Sequence, residues 1–344
     1  MTGPSDRPAE APPAPPTDPS APPRRPGTST FTIEGRSAPG LFVLGWLASL
    51  VGLGAIVVAA MSGGGGAGPI LLFVGLLILA VGLVAAAGSQ AIERRARGTH
   101  AYTGPSPFLV FAAGIPITGL VGIAIGAAFS LVGIPVDGPF PRLVAVVIQA
   151  VIYIGLIRLL VVDAGALSWS AMGITRPTTK SFRAFGIGVA WALPVFAATL
   201  VVVAVVTIFI RAQADSPLPP AGDLRGFVIN LVAGVIVAPI SEEIMFRAFA
   251  TTAWMADMAV PRAVVRGAIF FAAVHIIGLT GVDAAQATAA AFVAFIARVP
   301  VALALGWLFA RTRTIWAPLG LHATFNAILL VLAELAFRSG ISPA

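Results

Sequence analysis

Nine apolar runs leave this chain few folds to choose from. They are Leu41–Met61, Pro69–Gly88, Phe108–Ile134, Leu143–Val162, Phe185–Ile210, Phe227–Phe246, Val264–Leu279, Ala284–Ala310 and Ile315–Phe337. A membrane-spanning helix takes about 20 predominantly apolar residues, and most of the runs meet that length. Composition agrees, with 58% hydrophobic residues, 10% charged residues and a mean hydropathy of +0.97. An ordinary soluble domain carries about 25% charged residues. The expected fold is therefore all-α, a polytopic transmembrane helix bundle of eight or nine spanning helices. The Val264–Leu279 run is the weakest of the nine, being short and holding Arg266 and His275.

Ahead of the first run the chain changes character. Ten of its 28 prolines fall in the first 26 positions. Such a segment buries too little apolar surface to offset its ordering entropy. Residues 1–40 thus read as a disordered, proline-rich cytoplasmic tail, 41–183 as N-terminal transmembrane helices and 184–344 as a C-terminal transmembrane core. The tail does not read as a signal peptide, because no small-residue cleavage site follows a short apolar core. With no cysteine in the sequence, disulfides, thiolate metal sites and cysteine nucleophiles are excluded.

The net charge of +7 would suggest nucleic acid in a soluble protein; here it reflects loop arginines, and no nucleic-acid partner is expected. With the tail inside, the inner segments carry Arg7, Arg24, Arg25, Arg36, Arg94, Arg95, Arg97, Arg176, Lys180, Arg183, Arg247, Arg262, Arg266, Arg311 and Arg313. The outer segments carry Arg142, Arg211, Arg225 and Arg338. Positive charge marks the cytoplasmic side, so the chain reads as multi-pass with its N-terminus in the cytoplasm. Arginine outnumbers lysine 20 to 1, which fits a GC-rich bacterial genome and a bacterial cytoplasmic membrane.

Against this background a few polar residues stand out. Glu242 and Glu243 sit near the inner end of the sixth run, where a deeply placed carboxylate costs roughly 2.5–3.5 kcal/mol. Glu243 and Arg247 are spaced i,i+4, a good ion-pair geometry, whereas Glu242 lies about 100° further round the helix. One glutamate can thus be structural and the other free to act as a base. His275 stands in the seventh run, and His322 and Asn326 share one face of the ninth by their i,i+4 spacing. Counting along the helices from neighbouring arginines brings all these groups to a similar level in the inner half of the membrane. Pro239, just before the glutamates, removes a helix hydrogen bond.

These are the parts needed to hydrolyse a peptide bond without a covalent intermediate. A buried glutamate accepts a proton from water, an imidazole assists, and a second imidazole with an amide donates to the developing oxyanion. No serine-protease elbow, Walker loop or dinucleotide fingerprint appears in a suitable context. The helical zinc signature HExxH is missing too, although two histidines and two glutamates are donors a metal accepts.

The three segments resemble the motifs of the CPBP family, the CAAX proteases and bacteriocin-processing (Abi-like) intramembrane endopeptidases. EExxxR matches Glu242, Glu243 and Arg247; FxxxH matches Phe271 and His275; HxxxN matches His322 and Asn326. The likeness covers roughly Gly226 to Leu330 and includes the stretch Gly306–Pro318. It implies that Glu242 activates water with His275, that His322 and Asn326 stabilise the oxyanion, and that Glu243 and Arg247 shape the site. No cofactor is favoured, with zinc on Glu242, His275 and His322 as the alternative. The implied partner is a membrane-associated peptide or protein substrate within the lipid bilayer. Two rival readings use the same cluster, a proton-coupled transporter and a non-catalytic scaffold or immunity protein. Two arginines lie apart from the cluster, Arg158 in the fourth run and Arg298 in the eighth, and Arg298, mid-run and just before Pro300, is the awkward one.

Overall fold

The computed structural model describes residues 35–62, 66–210, 220–277 and 283–340; the proline-rich segment 1–34 lies outside them. Among the described residues there are helices and no strands, as the apolar runs predict. In chain order the helices are α1 (Pro39–Met61), α2 (Gly68–Arg97), α3 (Pro107–Leu131), α4 (Pro139–Val162), α5 (Thr179–Phe209), α6 (Leu224–Asp257), α7 (Val260–Val274), α8 (Ala284–Thr312) and α9 (Trp316–Arg338). Eight of them are long and apolar enough to cross a membrane.

The exception is α7. Its 15 residues span roughly 22 Å at 1.5 Å each, short of the ~30 Å hydrocarbon layer. The weakest apolar run therefore forms a partial crossing, and residues 278–279 at its end lie outside the described set. Val264 lies against Gly306, so the start of α7 packs beside the end of α8 and the two run antiparallel. The chain thus keeps alternating direction through α7, which stops part-way into the bundle.

Contacts between helix ends define the two faces. Arg36 on the approach to α1 binds Glu93 near the end of α2 at 2.8 Å. The Ala101 N–H before α3 reaches Asp257 at the end of α6 at 2.9 Å, and the Ile315 N–H before α9 reaches Gly173 O before α5 at 3.2 Å. Arg94, Arg95, Arg97, Arg176, Lys180, Arg262, Arg311 and Arg313 all fall at this end. At the other end Glu334 accepts from the Ala221 N–H at 2.9 Å, and Arg142 donates to Asn230 at 3.1 Å. Arg158 also lies at the basic end, exposed and paired with Asp163 at 2.7 Å.

Helix α6 departs most from its sequence reading. It does not stop at Phe246 but runs to Asp257, 34 residues in all. Hydropathy breaks at Arg247, yet Arg247 is buried against Glu243, so its charge does not end the helix. Glu242 consequently lies near the middle of a long helix rather than at the inner end of a short one. The helix widens to i→i+5 turns over Val232–Val237 and Glu243–Thr251. Such turns are rare and cluster at functional sites. Pro239, which lacks an N–H, lies between them.

An aromatic cluster joins α3, α6 and α7 beside this segment. The Phe270 ring lies 4.6 Å from Phe108, 5.3 Å from Phe111 and 5.2 Å from Phe246. On the other flank α5 meets α9 backbone to backbone: Gly188 faces the Ala317 carbonyl and Gly320 the Phe185 carbonyl. A side chain at either glycine would strike main chain, so these positions fix how closely α9 and its histidine approach the bundle.

Candidate active site

Helices α6, α7 and α9 bring their polar residues to one place. His275 Nε2 lies 3.6 Å from Glu242 Oε2, and His322 Nε2 lies 3.7 Å from the same oxygen. Each imidazole is fixed from behind. His275 Nδ1 stands 2.6 Å from the Phe271 carbonyl, which can only accept, so Nδ1 carries a proton and, in the neutral ring, Nε2 presents a lone pair. His322 Nδ1 stands 2.8 Å from Glu243 Oε1, a carboxylate oxygen that also faces Arg247 Nη1 at 3.3 Å. Neutral His322 therefore turns its Nε2 lone pair toward Glu242 in the same way. Holding a ring through its far nitrogen to set tautomer and orientation is a common arrangement in catalytic and metal sites.

The two adjacent glutamates have separate surroundings, as the i,i+4 argument predicts. Glu243 is fully buried between Arg247, 2% exposed, and His322, 5% exposed. A buried ion pair survives only with good geometry and further partners. Here Arg247 also donates to the Ala302 carbonyl of α8 at 3.5 Å and lies over the Phe271 ring at 4.2 Å. Glu242 Oε2 is buried with no hydrogen-bond partner among the described residues, while the Glu242 and His275 side chains keep 21% and 25% of their surface exposed. The open side of the cluster lies along Glu242 and His275, and Glu243 closes its back.

Asn326, one turn beyond His322, donates to the Gly234 carbonyl at 2.8 Å. That carbonyl belongs to the wide turn Val232–Val237, where i→i+5 spacing disturbs the main-chain ladder. One amide hydrogen of Asn326 thus ties α9 to α6, and the second is left for another acceptor.

All six residues singled out in the sequence fall within this assembly. Two others lie near enough to interact electrostatically with Glu242. Tyr153 of α4, buried and stacked on Phe111 at 5.2 Å, lies within electrostatic reach of Glu242; its ring fills the notch that Gly114 leaves. A lone tyrosine in an apolar run gives no sequence signal for this. Arg298 of α8 also feels Glu242, and its position in a membrane run did mark it. Two imidazoles and a carboxylate are donors that zinc accepts. Among the described residues, however, no group of three His, Cys, Asp or Glu side chains is placed to hold a metal ion.

Fold and site together define a multi-pass helical membrane protein with a carboxylate–imidazole centre between its C-terminal helices. Residues 224–328 match the family described as Type II CAAX prenyl endopeptidase Rce1-like. This part of the chain is similar to that family, consistent with the CPBP resemblance of the three motifs, and it contains all six candidate residues. No curated protein and no solved structure matches the chain.

Proposed function

We propose that the protein is an intramembrane endopeptidase that hydrolyses a peptide bond of a membrane-associated peptide or protein, with Glu242 as general base. The observation that carries this reading is the facing of Glu242 Oε2 by the Nε2 atoms of His275 and His322 at 3.6 and 3.7 Å. Three acceptors turned toward one another are satisfied by a shared proton donor, and water supplies two protons. A water held there is polarised from several sides. As it attacks the scissile carbonyl its proton passes to Glu242, with His275 holding the other hydrogen. Glu242 then returns the proton to the departing nitrogen.

His322 and Asn326 face the carbonyl oxygen. Asn326 offers its second amide hydrogen, and His322 can donate from Nε2 when its ring is protonated, with Glu243 carrying the counter-charge. Arg247 holds Glu243 in place, acting on His322 through it. The zinc alternative would place the same three atoms on a metal. The basic end of the bundle is assigned to the cytoplasm, with the N-terminal tail on that side of a bacterial plasma membrane, on the excess of arginine there.

The test is cleavage of a membrane-derived peptide library by the purified chain in detergent, read by mass spectrometry. Glu242→Gln keeps shape and loses the base, and it lowers the rate by about 10²–10⁴. His275→Ala lowers it less. Activity that survives a strong chelator supports the water mechanism; activity lost on chelation and restored by zinc moves the histidines to metal ligands. Cleavage unaffected by Glu242→Gln sinks the reading.

A further inference from the structure

A donor count around Glu242 leaves the developing oxyanion short of partners. With both rings neutral, the Nδ1 protons of His275 and His322 go to Phe271 O and Glu243, and Asn326 has spent one amide hydrogen on Gly234. One neutral N–H remains for the carbonyl oxygen of a substrate. Oxyanion sites use two or more aimed donors, and cationic donors are the strongest.

Arg298 is placed to supply them. It lies between Ala294 and Ala302, each one turn away, on a stripe of α8 whose two alanines are 2% and 0% exposed. The Ala302 carbonyl receives Arg247, so this stripe faces the buried ion cluster. Depth agrees as well. Val264 lies beside Gly306 on the antiparallel helix; eight residues along each from that contact are Ala272 and Arg298. The arginine is thus about three residues, roughly 5 Å, in depth from His275. Its guanidinium turns further the same way to donate to the Ala294 carbonyl at 2.8 Å. That uses one of five N–H donors. No carboxylate among the described residues forms an ion pair with it. The helix start at Ala284 lies fourteen residues away, about 21 Å, beyond the reach of a snorkelling side chain. A charge this deep in a membrane helix is costly unless it serves a site.

Building on the reading of Glu242 as the base, we infer that Arg298 is a further catalytic residue whose guanidinium N–H groups bind the substrate carbonyl oxygen as it becomes an oxyanion. The water oxygen bonds to the carbonyl carbon, its proton passes to Glu242, and the π pair moves onto the oxygen that Arg298 holds. That pair returns as the C–N bond breaks, and Glu242 gives the proton to the leaving nitrogen. The residue also balances charge, since Glu242, Glu243, Arg247 and Arg298 sum to zero when both imidazoles are neutral.

The experiment compares the full chain with Arg298→Ala, Arg298→Lys and Glu242→Gln in detergent. It measures kcat and KM on a cleaved peptide, inhibition by a phosphonamidate analogue of that peptide, and thermal melting. Arg298→Ala is expected to lower kcat by about 10²–10³ with KM within about threefold, and to weaken the phosphonamidate in proportion. Arg298→Lys recovers about tenfold of the loss by restoring charge without the fork. An unchanged kcat overturns the inference, as does a loss confined to KM, which would make Arg298 a handle for a substrate carboxylate. If Arg298→Ala does not fold, Arg298→Gln takes its place: a kcat drop of at least about tenfold at constant KM supports the role, and an unchanged kcat overturns it. A dead Glu242→Gln beside a fully active Arg298→Ala discards this inference alone, whereas an active Glu242→Gln discards the underlying reading.

Discussion

The same four-residue spacing, Glu-x-x-x-Arg, pairs charges at both rims of this bundle and in its interior. Glu93 and Arg97 close α2 at the basic end, 3.8 Å apart, with the arginine side chain 57% exposed and the glutamate also held by Arg36 at 2.7 Å. Glu243 and Arg247 lie 3.3 Å apart inside α6, their side chains 0% and 2% exposed. At the rim, water and salt screen the exposed Arg97, which can be lost cheaply while Glu93 keeps Arg36. In the interior each charge is tolerable only because the other is there. Helix spacing sets the pairing in both places, and depth sets what the pairing is for. The outer pair fastens a helix end, whereas the inner pair holds an imidazole against the candidate base.

The sharpest way to break this comparison is Arg247→Ala. It leaves Glu243 buried beside His322 without its cation, and a broken buried pair costs about 3–5 kcal/mol. Unfolding in detergent, followed by denaturant titration, should show that loss together with loss of cleavage. Equal costs for Arg247→Ala and Arg97→Ala would end the distinction by depth.

Asn326→Ala is expected to rank second. It strips the Gly234 carbonyl of its side-chain donor, at about 1–3 kcal/mol, and slows cleavage beyond what the stability loss explains. Should the melting temperature fall while kcat holds, Asn326 is a tie between α9 and α6 and nothing more.

Next comes Phe271→Leu. The ring stacks under the Arg247 guanidinium at 4.2 Å and against His275 at 4.3 Å, and a desolvated cation–π contact is worth about 2 kcal/mol. A stability loss near that size, read in the same titration, sharpens the contrast, because among the described residues no such ring lies under Arg97.

The smallest effect is expected for Arg97→Ala, about 0.3–0.5 kcal/mol, fading as salt rises. A larger cost that salt does not reduce would place the outer pair in the same class as the inner one.

Much of the architecture was legible in the chain. Long apolar runs settle on helices because no other single segment satisfies its own backbone in hydrocarbon, and the arginine bias sorted the loops between two faces. Three short motifs identified the six residues that the bundle assembles. The seventh run was less legible, since hydropathy cannot tell a full crossing from a helix that stops at His275. The length of α6 was hidden as well: Arg247 counts as an inner-segment charge until its burial beside Glu243 is seen.

What the sequence determined alone was the local chemistry: which segments cross, which glutamate pairs with Arg247 by spacing, and which residue types meet in hydrolysis. The tertiary structure alone decided that Glu242 lies mid-helix, that both Nε2 atoms face one of its oxygens, and that Arg298 shares their depth. The reason is physical. Helix period fixes neighbours within about one turn, while contacts between α6, α7, α8 and α9 depend on glycine-sized gaps, a partial crossing and widened turns that set relative depth.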